Sequence, residues 1–310
     1  MSRAPAVDRQ LGRLAWVDDR LGRFALFLPG LLFVVVLVGI PLGILLVVSF
    51  LTDASYSIEP IPTLANYLGL IGDGVFPIVL WRTVLTAVVV TAACLAIGFP
   101  IALVLARTTP RRRALGTLIL MVPLWTNLLV KIYSWKAILG VKGVLNYGLQ
   151  AAGVTSEPVD LFLYNTPAVA IALVSALLPF MVLPILTALE RVPPSLLEAA
   201  TDLGSSPRRV FWTVTAPLAR RGVLAGVTFV LVMAIGDIVA SEVLGGPSGI
   251  LVGRVIFGQF GPSDNWPRGA AMGWVLIATM TGMLLVVARL ARLGTMERVS
   301  ITGADPRLEG

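Results

Sequence analysis

Residues Arg191 to Arg221 read RVPPSLLEAATDLGSSPRRVFWTVTAPLARR, a polar and basic stretch set between two long apolar runs. Its local signals describe a folded segment. Ser195 and Glu198 have the spacing of a capping box, so a short helix is expected to begin there after Pro193 and Pro194. Gly204 suits the left-handed stop of that helix. Ser206 can cap a second helix whose first turn accepts Pro207 and which continues through Arg208, Arg209, Val210, Phe211 and Trp212. Two short helices thus meet at a glycine corner. Leu196, Leu197, Ala200 and Leu203 form an apolar stripe on the first, and the small Ala199 and Ala200 let another surface approach closely. This shape suits insertion into the groove of a partner.

Outward from this stretch the chain is apolar. Of 310 residues, 57% are hydrophobic and 13% charged, and the mean hydropathy is +0.90. A soluble domain needs about a quarter of its residues charged to cover its surface, so the surrounding solvent is lipid. Six runs reach the roughly 20 residues that a helix needs to cross about 30 Å of hydrocarbon. They lie near 24–50, 80–106, 114–138, 163–189, 222–243 and 269–290. The strict alternation of a barrel is absent, so the expected class is all-α with six transmembrane helices. The domain division is a tail over 1–23, a membrane domain over 24–290 carrying the loop 191–221, and a tail over 291–310. The first span is expected to remain uncleaved.

Charge sets the orientation. Eighteen of the 24 basic residues fall in the N-terminal tail, the second connection, the 191–221 loop and the C-terminal tail. The first opposite-side loop, 51–76, carries Asp53, Glu59 and Asp73 and no basic residue. The positive-inside bias then places both termini in the cytoplasm. The net charge of +7 is therefore read as topology, since no basic face interleaved with aromatics suggests nucleic acid. With no histidine and the single Cys94 inside an apolar run, structural zinc, disulfides and Cys/His catalysis are excluded within the chain. No catalytic or metal site is expected. No GxxxxGK[ST] phosphate loop occurs either, so the chain carries no sequence signal for binding ATP itself.

Glu198-Ala199-Ala200, Gly204 and, further on, Pro217 resemble the EAA loop of permease subunits of binding-protein-dependent ABC importers. Val214 and Ala216 stand where that pattern usually has isoleucine and leucine. The resemblance implies that Glu198, Ala199, Ala200, Asp202, Gly204 and Pro217 form a coupling helix and its corner, docked on a cytoplasmic ATPase. It implies the type I importer permease fold, a bacterial inner-membrane location, an ABC ATPase dimer holding ATP and Mg, a second permease and an extracytoplasmic substrate-binding protein. It implies no cofactor in this chain. The stretches Pro123 to Asn146, Leu177 to Ile185, Leu251 to Phe260 and Trp266 to Ala271 look like the spermidine/putrescine permeases of the PotB type, whose second permease is PotC-like. A polyamine is the solute implied. Relatives in the class carry opines, phosphonates or ferric ion, and an ion-coupled carrier is the reading from outside it. Arg254 departs from the pattern, standing where a neutral polar residue is expected.

Asp237 and Glu242 follow the long uncharged run of the fifth span, where a carboxylate is costly enough to be a functional candidate for attracting a cation. Asp237 could equally lie at a helix end already near interfacial water or pair with Arg254. Trp125, Asn127 and Tyr133 in the third span offer aromatic faces and a polar group to an ammonium ion. They could equally form an interfacial belt, with Lys131 reaching outward.

Overall fold

The computed structural model describes residues 28–53, 58–72, 74–157, 159 and 164–302, with side chains described as far as Ala291. The tail over 1–23, the beginning of the first span, Asp73, Leu163 and residues 303–310 lie outside the described residues. Helix α1 (Leu28–Val48) precedes a short antiparallel hairpin of β1 (Leu51–Asp53) and β2 (Ile58–Pro62), paired Thr52 to Glu59 and Asp53 to Ile58. There follow α2 (Ala65–Gly72), α3 (Val75–Arg107), α4 (Pro110–Trp125), α5 (Leu128–Leu139), α6 (Val144–Ala151) and α7 (Thr166–Glu190). Then come α8 (Pro194–Asp202), α9 (Pro207–Ile235), α10 (Val239–Leu244), α11 (Val252–Phe260) and α12 (Trp266–Thr302).

Helices α1, α3, α7, α9 and α12 are long and apolar enough to cross a membrane. A sixth span results when α4 is counted with the α5–α6 segment, the two being bent by 92°.

The centre of the molecule is α7 packed between α3 and α9. Met181, Val182 and Ile185 of α7 are fully buried there, with Val90 and Cys94 of α3 and Val230 of α9. Lipid offers no hydrophobic drive between spans, so close approach of backbones supplies the packing. Glycines provide it. A Cβ on Gly222 would sit 2.4 Å from the Pro184 carbonyl oxygen, one on Gly226 would sit 2.8 Å from Met181 Sδ, and one on Gly98 would sit 3.1 Å from Met181 Cγ.

Polar contacts sort the helix ends into two groups. At one end Arg113 of α4 pairs with Glu190 of α7 at 3.3 Å and donates to the Ala106 carbonyl of α3 at 2.8 Å, beside the α8 loop. At the other, Thr166 of α7 donates to Ser248 O at 2.9 Å, and Val252 N of α11 donates to Thr83 Oγ1 of α3 at 2.9 Å.

Two spans expected to be continuous are broken. The run 114–138 stops at Trp125, where Thr126 turns extended and Asn127 starts a new helix by accepting from Leu129 N at 2.8 Å. The run 222–243 stops at Ile235. Asp237 then starts α10, its Oδ2 accepting from Ala240 N at 3.0 Å and Ser241 N at 3.2 Å. In both places a short polar side chain captures the free amides of a new helix, and this competes with continuation of the old one.

Candidate functional site

The protruding corner formed by α8 and the start of α9 is built from its backbone outward. The expected capping box does not form. Pro193 occupies the N-cap with no side-chain bond: Pro194, with its φ preset for a helix, starts the helix one residue early, so Ser195 lies inside the first turn and not at the cap. Glu198 is exposed. The stop is a Schellman turn: Ser205 N donates to Ala200 O at 3.1 Å and Gly204 N to Thr201 O at 2.8 Å, with Gly204 at φ +77°. Ser206 caps the second helix, Oγ accepting from Arg209 N at 3.4 Å.

Beyond the corner, residues Phe211–Thr215 adopt a π turn, with Ala216 N donating to Phe211 O. Pro217 explains its position. With no N–H, Pro217 cannot take up the Thr213 carbonyl in α register, so the wider turn sits where one bond is already missing. Phe211 stacks edge-on against Phe99 of α3 with centroids 5.6 Å apart, which ties the corner to the core. Leu203 is 87% exposed and Trp212 69% exposed, at the apex and flank of a segment whose Glu198, Ala199, Asp202 and Gly204 also face outward. Exposed apolar residues of this kind are a common mark of interaction surfaces.

The second feature is a cavity of about 560 Å³ between α4, α5, α7 and α9. Trp125, Asn127, Lys131, Phe180, Met233 and Asp237 line it, with Leu173 and Leu177 on the α7 side. The breaks in the third and fifth spans make this space, since each withdraws a turn of helix from the packed layer. Asp237 is buried, with one carboxylate oxygen engaged by the α10 amides. Of the sequence candidates, Trp125, Asn127 and Asp237 come together here, whereas Tyr133 and Glu242 lie outside the lining. Glu242 forms an ion pair with Arg254, so Asp237 is not the partner of that arginine. Lys131, which the alternative reading placed in an interfacial belt, lines this cavity. Among the described residues no group of three or more His, Cys, Asp or Glu side chains is placed to hold a metal.

A bundle of apolar helices with a protruding glycine corner at one end and a cavity at its broken spans defines a membrane permease subunit. The chain belongs to the family described as binding-protein-dependent transport system inner membrane component, whose model matches residues 98–293. It is similar to the spermidine/putrescine transport system permease protein PotB of Haemophilus influenzae, at 39% identity over 256 residues, 82% of this chain and 88% of that one. PotB of Escherichia coli K12 is 40% identical over 247 residues, 79% of this chain and 89% of that one. In fold it resembles a chain of a bacterial alginate ABC transporter solved with its pentasaccharide-bound periplasmic protein, at a TM-score of 0.68 and 17% identity, covering 91% of this chain and 98% of that one. The chain is therefore an inner-membrane permease component of an ABC importer.

Proposed function

We propose that the chain forms, with a second PotC-like permease, the translocation path for a polyamine such as spermidine or putrescine. The observation that carries this reading is the 39% identity to a spermidine/putrescine permease across 82% of the chain. The cavity fits such a solute. Asp237 offers a carboxylate to an ammonium group, and Trp125, Phe180 and Met233 offer apolar and aromatic surface to methylene segments.

In this reading the α8 corner, through Glu198, Ala199, Ala200, Asp202, Gly204 and Pro217, docks on an ABC ATPase dimer that binds ATP and Mg. An extracytoplasmic binding protein delivers the solute at the opposite face, and both termini, with the tails 1–23 and 291–310, lie in the cytoplasm. This chain performs no hydrolysis and carries no cofactor. Closure of the ATPase dimer moves the corner, and the corner moves the spans between inward and outward openings.

The test is uptake by the assembled transporter in proteoliposomes. The reading expects vanadate-sensitive spermidine uptake that requires the ATPase and the binding protein. Uptake by the purified chain alone would instead indicate an ion-coupled carrier. Lys131 in the cavity favours one second reading, a solute with a carboxylate or phosphonate beside its ammonium group, such as an opine. Competition by such a zwitterion stronger than by putrescine would select it.

A further inference from the structure

Two tyrosine rings enclose one ammonium group at the end of the molecule opposite the α8 corner. Lys136 Nζ of α5 lies 5.8 Å from the ring centroid of Tyr133 and 5.9 Å from that of Tyr164, just before α7. Both distances are within the roughly 6 Å over which a ring quadrupole attracts a cation. Among the described residues no carboxylate pairs with Lys136. Both ring faces bear on the charge.

The clasp around Tyr164 is costly to make. Tyr164 stands at φ +62°, a left-handed conformation that a bulky residue rarely adopts. The turn after α10 holds it there. Gly246, itself at φ +54°, approaches so closely that a Cβ on it would lie 2.6 Å from Tyr164 Cβ. Ser248 Oγ donates to Tyr164 O at 3.1 Å, and Thr166 Oγ1 donates to Ser248 O at 2.9 Å. Strain maintained by such surroundings points to a use for the ring it positions. The two rings remain 56% and 48% exposed, so the clasp is open to a solute.

The occupant is informative chemically. Beyond its Cα, a lysine is an aminobutyl group: four methylenes and a primary ammonium, the same group that ends 1,4-diaminobutane and one arm of spermidine. The clasp also adjoins the cavity. Helix α5 presents Lys131 to the cavity and Lys136 to the rings, about 7.5 Å apart along the axis at 1.5 Å per residue. The turn that holds Tyr164 continues directly from α10, which Asp237 caps.

We propose that Tyr133 and Tyr164 form a docking site for primary alkylammonium groups, occupied at rest by the chain's own Lys136, which an incoming aminoalkyl solute displaces before reaching the cavity. The identity of the physiological solute rests on the polyamine reading; the ammonium site does not. The experiment measures n-butylammonium binding to the assembled transporter in lipid nanodiscs by saturation-transfer NMR. Lys136→Met removes the resident cation and is expected to tighten binding at least tenfold over wild type, while Lys136→Arg stays near wild type. Adding Tyr164→Leu to Lys136→Met should abolish the gain, and adding Tyr164→Phe should keep it. If Lys136→Met does not assemble, Lys136→Gln serves the same comparison. Equal affinity with and without the lysine, or a gain that survives Tyr164→Leu, overturns the proposal. Spermidine uptake by the wild-type transporter is measured in parallel, and its failure would count against the polyamine reading while leaving the butylammonium result to judge the site.

Discussion

Gly204 isolates the backbone contribution of the corner, because a Cβ there would meet nothing within 4 Å while φ stands at +77°. Within the chain, the cost of adding a Cβ is then backbone strain. For a residue with a Cβ the left-handed conformation costs about 1–2 kcal/mol, and it is highest for β-branched side chains and lowest for asparagine. A loss of one to two kcal/mol corresponds to a roughly 5- to 30-fold fall in the population of the docked-competent corner. Gly204→Val should therefore reduce recovery of the ATPase with the permease by that order, Gly204→Ala less, and Gly204→Asn least. The assay is co-purification of the ATPase subunit with the membrane-extracted permease, normalised to permease amount. Membrane insertion should be unaffected, since a Cβ at Gly204 meets no atom of the bundle. Equal recovery for valine and asparagine would refute the reasoning, because a requirement for φ cannot be blind to that difference.

Gly222→Ala places a Cβ 2.4 Å from the Pro184 carbonyl oxygen, and overpacking of this kind costs about 1–3 kcal/mol; the unfolding midpoint in detergent should fall, and an unchanged midpoint would count against glycine-mediated packing of α9 on α7. Asp237→Asn keeps a cap for α10 but removes the charge, so it should weaken cation uptake with little loss of stability, whereas Asp237→Ala should also lose about 0.5–2 kcal/mol. Unchanged uptake in the asparagine variant would reduce Asp237 to its capping role. Glu242→Gln leaves Arg254 without its ion partner, at a stability cost of only about 0–1 kcal/mol for a half-exposed pair. Uptake of a polycation should fall at low ionic strength and recover as salt screens the freed arginine, which a salt series checks directly.

The parts of this molecule legible in its sequence are those governed by local rules. Apolar length announces the spans, and Gly204 and Ser206 announce the corner because turn and cap chemistry act over three or four residues. The capping box at Ser195 was a misreading of the same kind of rule: the proline pair starts the helix without side-chain help. The breaks after Trp125 and Ile235 were hidden because a hydropathy window averages across them. Their signal was present in Asn127 and Asp237, each a residue type that favours helix starts placed inside an apolar run, read instead as chemistry. The pairing of Arg254 with Glu242 depends on the turn between α10 and α11, which Ser241 organises by donating to Gly249 O and accepting from Leu251 N. No sequence pattern specifies that geometry, nor the approach of Tyr164 to Lys136.

Helix α9 connects the two halves of the functional picture. It spans 29 residues from Pro207 to Ile235, about 43 Å at 1.5 Å per residue, beginning at the exposed corner and ending two residues before Asp237 at the cavity. Along its length Gly222 and Gly226 press it against α7, so it has little freedom to bend within the core. Its compliance is confined to its ends, the π turn above Pro217 and the break at Gly236. A rod that is stiff in the middle and jointed at both ends transmits displacement, and a push on the corner is delivered to the residues that follow Ile235. On the proposed function, a carboxylate at that far joint would couple the affinity of the cavity to the state of the ATPase at the corner, with no need for a separate relay through the bundle.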